Sequence, residues 1–180
     1  MSHISKLYPT IWLTGLSASG KTTLARRLRS DLEANGIRNI ELLDGDILRN
    51  NIEDYDYSTE NRNNIGLRKA RLALDCNKQG KIAIVTGIAH HKETRERIRK
   101  LICHYIEVYL RCPVEACAKR DIKGNYNKAL KGDLRDFVGV TEPYQESDNP
   151  DLILDTFANS SDECAKILLE YTLKVINSNA

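Results

Sequence analysis

The sequence predicts an α/β fold: a parallel sheet of about five strands with helices on both faces. Three observations predict it. Short β-rich apolar runs alternate along the chain with segments whose apolar residues recur at helical spacing. The chain has 180 residues, of which 41% are hydrophobic, enough for one core and too few for two comfortable domains. A glycine-rich turn links the first β-rich run directly to the first helical stripe.

Thr10 to Thr14 reads as the first strand, ending at Gly15. Leu24, Leu28 and Leu32 then recur every four residues up to Gly36, a helix stop. Asn39 to Leu43 is a second short strand. Thr59 to Lys78 is a polar helix with Leu67, Ala70, Ala73 and Leu74 on its apolar stripe, stopped by Gly80. Lys81 to Ile88 is the strongest buried-strand candidate, followed by a basic helix from Lys92 to Cys103. Tyr105 to Leu110 gives a fourth strand, and Pro113 opens a helix at the first-turn position proline favours. Leu152 to Leu154 and Cys164 to Val175 supply a last strand and a closing helix. Residues 121–150 carry charge, glycines and Pro143 with little periodicity, which predicts a mobile, lid-like segment over a site, with some helix inside it. The expectation is one domain over 1–180.

Composition excludes several function classes. A net charge of +2 gives no reason to expect nucleic acid or an anionic membrane as the main partner. The five cysteines are odd in number and none has CxxC spacing, so reduced thiols in a reducing compartment are expected. The N-terminus lacks the apolar run of a signal peptide, and no run of about 18 apolar residues occurs, so a cytoplasmic protein is expected.

The turn after the first strand, Gly15-Leu-Ser17-Ala-Ser19-Gly20-Lys21-Thr22 with Thr23 following, fits the phosphate-loop pattern G-x-x-x-x-G-K-[ST]. A triphosphate carries dense negative charge. The glycines let backbone N–H groups turn inward around it, and the next helix adds its positive end. Lys21 is placed to reach the β and γ oxygens, and the Thr22 hydroxyl to ligate Mg²⁺. A GTPase is disfavoured because neither Asn77-Lys78-Gln79-Gly80 nor Asn127-Lys128-Ala129-Leu130 completes N-K-x-D. The chain is also short for a motor ATPase. An ATP-dependent kinase remains.

Asp44 and Asp46 flank Gly45 at the end of the second strand, where α/β sheets place their sites. Either carboxylate can orient an attacking hydroxyl or serve the metal. Asp46 also reads as an N-cap for a helix over Ile47 to Ile52.

At this point the chain resembles the adenylylsulfate kinases, P-loop kinases that phosphorylate the 3′-hydroxyl of adenosine 5′-phosphosulfate. The likeness runs from about Ile11 to Thr156. It rests on the loop, on Leu43-Asp44-Gly45-Asp46-Ile47-Leu48-Arg49, on Tyr57-Ser58 followed by Arg62, on Arg120 to Tyr126, on Phe137-Val138-Gly139-Val140 and on Pro143-Tyr144. The resemblance implies that Asp46, with Asp44, handles the acceptor hydroxyl and metal-bound water. It implies that Arg49 and Arg62 hold the acceptor's anionic oxygens, that Tyr57 and Phe137 sandwich its base, and that Arg120 stacks on the ATP adenine. Asn64, Ile88, Lys123 and Tyr126 join the expected acceptor contacts, Lys123 reaching ATP as well. Phe137 reads equally as core, and the arginines as solvated surface. ATP, Mg²⁺ and a homodimer are implied by the resemblance.

The departures gather on the acceptor side. Ile65 stands where the family has asparagine, unless Asn64 serves with a one-residue shift, and Leu67 replaces an arginine. Gly87-Ile88-Ala89-His90-His91-Lys92 replaces F-I-S-P-[YH]-R. Thr141 replaces an aspartate and Gln145 a glutamate. Gly87 should leave more space, and the two histidines should add donors or protons near neutral pH unless they are only an exposed pair at a helix start. No further ligand has the spacing to make them a metal site. The expected reaction is therefore phosphorylation of adenylylsulfate, with the same chemistry on another activated nucleotide, such as cytidine diphosphoramidate, as the rival acceptor. A third possibility is an ATP-binding module without transfer.

Overall fold

The computed structural model describes residues 8–44 and 59–178. Five strands, β1 (Thr10–Thr14), β2 (Ile40–Leu43), β3 (Ile82–Thr86), β4 (Tyr105–Arg111) and β5 (Leu152–Asp155), form one sheet in the order β2-β3-β1-β4-β5. Every pairing is parallel, so each connection must cross a face of the sheet. The described helices are α1 (Lys21–Ala34), α2 (Thr59–Lys78), α3 (Lys92–Leu101), α4 (Val114–Arg120), α5 (Asn125–Leu130) and α6 (Ser161–Ser178).

Alternation along the strands divides the apolar residues between two cores. Ile11 and Leu13 of β1, Ile82 and Ile84 of β3, and Ile106, Val108 and Leu110 of β4 pack against Leu24, Leu28 and Leu32 of α1 and Leu168 of α6. Their neighbours Trp12, Ala83, Val85 and Tyr105 face Ala70 and Ala73 of α2 and Ile98 of α3. Burial on both faces explains why β1 and β3 read as unbroken apolar runs.

The differences from the expected elements have local causes. Strand β3 ends at Thr86, because Gly87 and Ile88 leave the sheet to line the cleft described below. Helix α6 begins at Ser161 rather than Cys164: Ser160 Oγ accepts from Glu163 N at 3.2 Å, and Glu163 Oε2 accepts from Ser160 N at 2.8 Å. This capping box adds a polar first turn that apolar spacing does not reveal. The expected helix over Ile47 to Ile52 lies outside the described residues.

Residues 121–150 have a packed centre. Tyr126 and Phe137 meet edge to face with ring centroids 4.9 Å apart, and join Leu16, Cys112, Cys117 and Val138 in a third cluster. The Tyr126 hydroxyl donates to Ser17 O at 3.0 Å, tying α5 to the phosphate loop.

Arg95 of α3 and Glu107 of β4 form a buried ion pair at 3.3 Å, each side chain 3% exposed. Arg95 also donates to Ala89 O and Gln145 O, so it fastens the turn after β3 to the lid-like segment. Arg95→Ala leaves the buried Glu107 carboxylate with only the half-exposed Arg99, 3.4 Å from Oε2, and should destabilise the fold by about 3 kcal/mol, the low end for breaking a buried pair. Arg95→Met with Glu107→Leu should recover most of that loss. Urea unfolding of the single and double variants checks this. Equal loss in both would show that the backbone contacts of Arg95 matter more than the pair.

Candidate active site

The phosphate loop lies between β1 and α1. Gly15 has φ 147°, and a Cβ there would stand 2.7 Å from Leu110 O, so a side chain is excluded by backbone. Gly20, with φ 98°, makes the left-handed step into α1. The Lys21 ammonium curls back over the loop, donating to Gly15 O at 3.0 Å, to Leu16 O, and to Ser19 Oγ at 3.4 Å. Ser19 is buried and supports the loop from inside.

Asp44 ends β2 and is 4% exposed. Its Oδ1 accepts from Thr86 Oγ1 at 2.9 Å and from Thr22 Oγ1 at 3.4 Å. Its Oδ2 lies 3.9 Å from an Arg26 nitrogen. The adjacency of β2 and β3 brings Asp44 to Thr86, and the loop's return brings Thr22 to both. A hydroxyl and a carboxylate side by side are hard oxygen donors. They suit Mg²⁺, which takes one or two protein ligands and completes its shell with water and phosphate. Thr22 and Asp44 therefore fit the ion. Among the described residues no cluster of three or more His, Cys, Asp or Glu side chains competes for it.

A cleft of about 510 Å³ opens over these groups. On its loop side it is lined by Ser17, Gly20, Lys21, Thr22 and Thr23, and on its lid side by Arg120, Lys123 and Phe137. Arg120 donates to Thr156 O at 2.9 Å, which fixes its guanidinium at the rim. The opposite wall carries Asp44, Thr86, Gly87 and Ile88, and the stripe Arg62, Ile65, Gly66 and Lys69 of α2.

Thus the described residues expected at the site line the cleft, except Gly15 and Ser19, which shape the loop from inside, and Asn64 and Tyr126. Asn64 is exposed and is not on the cleft wall; Ile65 is. The proposed one-residue shift fails because a helix turns about 100° per residue. Tyr126 is 1% exposed and holds the phosphate loop from behind instead of lining the cleft. Burial pushes its hydroxyl up from the ordinary tyrosine range, so it stays a donor. Asp46, Arg49 and Tyr57 lie outside the described residues.

Two of the departures placed on the acceptor side have other work. Thr141 Oγ1 accepts from Phe137 N at 2.8 Å and clasps the turn that carries Phe137. Gln145 Oε1 accepts from Lys92 N at 2.9 Å, capping α3, while Gln145 N donates to His90 O at 3.0 Å. His90 is fully buried, and neither ring nitrogen has a hydrogen-bond partner among the described residues. Burial, with His91, Arg62 and Arg95 nearby, lowers its pKa to about 4. It is uncharged at pH 7, keeping one ring N–H but no extra proton, and its burial sets aside an exposed histidine pair at the helix start.

Lys69 is the residue that sequence reasoning missed. It is 3% exposed and donates to Thr86 O at 2.5 Å.

A parallel sheet in the order β2-β3-β1-β4-β5, a phosphate loop after β1 and a hydroxyl–carboxylate pair in the cleft define a P-loop kinase, a phosphotransferase with a hydroxyl acceptor. The fold is shared with a gluconokinase of Sinorhizobium meliloti, at TM-score 0.64 and 15% identity over 96% of each chain. The adenylylsulphate kinase family model matches residues 8–155, and the chain belongs to that family. An adenylyl-sulfate kinase of Halothermothrix orenii is 36% identical over 90% of this chain and 88% of its own. The structure of a Mycobacterium tuberculosis APS kinase in complex with AMPPNP and APS matches at TM-score 0.85 and 34% identity, over 91% of this chain and 96% of that one. No helix among the described residues is long and apolar enough to cross a membrane.

Proposed function

We propose that this protein transfers the γ-phosphoryl group of ATP to the 3′-hydroxyl of adenylylsulfate, giving 3′-phosphoadenylylsulfate and ADP. The observation that carries this reading is that Lys21, Thr22, Asp44 and the α2 stripe all line one cleft. Family membership supports adenylylsulfate as the acceptor.

Lys21 and the loop amides hold the β and γ oxygens of ATP and neutralise their charge. Thr22 and Asp44 would hold Mg²⁺, which would supply positive charge against the phosphates. The acceptor's 3′-oxygen bonds to the γ-phosphorus in line with the departing ADP oxygen. Its proton passes to a carboxylate, the role assigned to Asp46. Arg62 pairs with acceptor oxygens, Phe137 covers the acceptor base, and Arg120 covers the ATP adenine. A homodimer is part of the reading on the resemblance alone, and sedimentation tests it.

One observation favours a second acceptor. Ile65 and Gly87, two of the departures, both line the cleft, which supports a different shape on the acceptor side. Cytidine diphosphoramidate, with a smaller base and a similar charged group, fits that change. Initial rates of ADP release with Mg-ATP and each acceptor decide between them. Turnover of adenylylsulfate alone is expected; turnover of the cytidine compound alone overturns the first reading.

A further inference from the structure

Arg62, Ile65, Gly66 and Lys69 all line the cleft. Offsets of three, four and seven place them on one face of α2. The acceptor wall is thus an apolar step with a cation two helical turns apart at each end, about 10 Å along the axis. Arg62 already has a role in the proposed reaction. Lys69 has none.

The surroundings of Lys69 are specific. Its Nζ donates to Thr86 O at 2.5 Å, while Thr86 Oγ1 donates to Asp44 Oδ1 at 2.9 Å. One residue, Thr86, therefore sets both the ammonium and the carboxylate at the edge of the reaction centre. A Cβ on Gly87 would lie 3.7 Å from Nζ and 3.3 Å from Trp12 Cζ2. Any side chain longer than a methyl at position 87 would have to displace the indole or cover the ammonium. Gly87 leaves Lys69 facing the cleft. An ammonium is strongly hydrated, and at 3% exposure the Thr86 carbonyl stands in for part of that water.

We propose that Lys69 is an acceptor-binding, specificity-determining residue: through the opening left by Gly87 its ammonium pairs with an anionic oxygen of the nucleotide acceptor, selecting charged nucleotides over neutral nucleosides. This deepens the proposed function and rests on it for the identity of the acceptor. Lys69→Met keeps an unbranched apolar stem and removes the charge. Lys69→Arg keeps the charge with altered geometry.

The test is steady-state kinetics with Mg-ATP and adenylylsulfate each varied, joined to calorimetric binding of adenylylsulfate, cytidine diphosphoramidate and adenosine. Lys69→Met should raise the acceptor KM roughly ten- to a hundredfold, the range for a lost hydrogen bond to a charged group. The KM for ATP and the affinity for adenosine should stay within about twofold of wild type, the scatter expected away from a lost contact. Lys69→Arg should recover part of the loss. The proposal is overturned if Lys69→Met leaves the acceptor KM unchanged, lowers kcat alone, or weakens adenosine and adenylylsulfate equally. If the wild type uses the cytidine compound instead, the adenylylsulfate reading fails and the same comparison on that acceptor decides the role of Lys69. If neither is turned over, the binding series decides it, and wild type that binds neither anion overturns both ideas.

Discussion

Lys21→Met should lower kcat/KM for ATP by roughly a thousandfold or more, because the proposed reaction sets this charge against the transferred phosphoryl group. The loop's backbone fixes where that charge sits. Three oxygens of the loop, Gly15 O, Leu16 O and Ser19 Oγ, gather the ammonium over the loop's hollow. Methionine matches the stem in length and leaves the hollow without its cation. A thousandfold loss corresponds to about 4 kcal/mol of transition-state stabilisation. The fold should be unaffected, since the core beneath α1 is made by Leu24, Leu28 and Leu32. Stopped or continuous assay of ADP release, with circular dichroism as the control, checks both halves. A loss below tenfold would mean that the loop amides alone carry the phosphate charge.

Asp44→Asn should lower kcat by roughly a hundred- to a thousandfold, the range for removing one preorganised electrostatic group. The amide oxygen can still accept from Thr86 Oγ1, now 2.9 Å from Asp44 Oδ1, so the strand ends stay joined. What disappears is the charge on which the proposed Mg²⁺ site rests. Asp44→Ala should lose as much activity and also destabilise the protein by about 1–3 kcal/mol, because the buried bond from the Thr86 hydroxyl to Asp44 Oδ1 is lost. Raising Mg²⁺ should partly restore the Asn variant and not the Lys21 variant. Equal activity of Asp44→Asn and wild type at all Mg²⁺ concentrations would remove Asp44 from the metal site.

The parts of the fold that were legible in the sequence are those in which one physical demand controls many residues. Strands buried on both faces leave unbroken apolar runs at Thr10–Thr14 and Ile82–Thr86, and a phosphate loop leaves glycines at fixed positions. The acceptor wall was less legible, for particular reasons. Lys69 sits in the charged run Arg68-Lys69-Ala70-Arg71, which reads as a solvated helix face. The stripe chosen for that helix, through Leu67 and Leu74, was centred too far round. The buried face runs through Gly66, Lys69, Ala70 and Ala73, with Leu67 and Leu74 half-buried at its edge. Offsets of three, four and seven from Arg62 were the signal that could have found Lys69.

Gly87 shows the same limit. Its missing side chain suggested added space, and Gly87 lies on the cleft wall. The sequence could not show that Trp12, from the next strand, and Lys69, from α2, border the space it leaves. Thr141 and Gln145 looked like changes to the substrate pocket because they neighbour motif residues. Their side chains instead close a turn and cap a helix, tasks that spacing alone does not separate from binding.

The central claim is phosphoryl transfer from ATP to the 3′-hydroxyl of adenylylsulfate, and product analysis tests it most directly. Incubation with Mg-ATP and adenylylsulfate, followed by ³¹P NMR and mass spectrometry, should give equimolar ADP and 3′-phosphoadenylylsulfate. ADP formed without a 3′-phosphorylated product, or no ADP at all, would contradict the account.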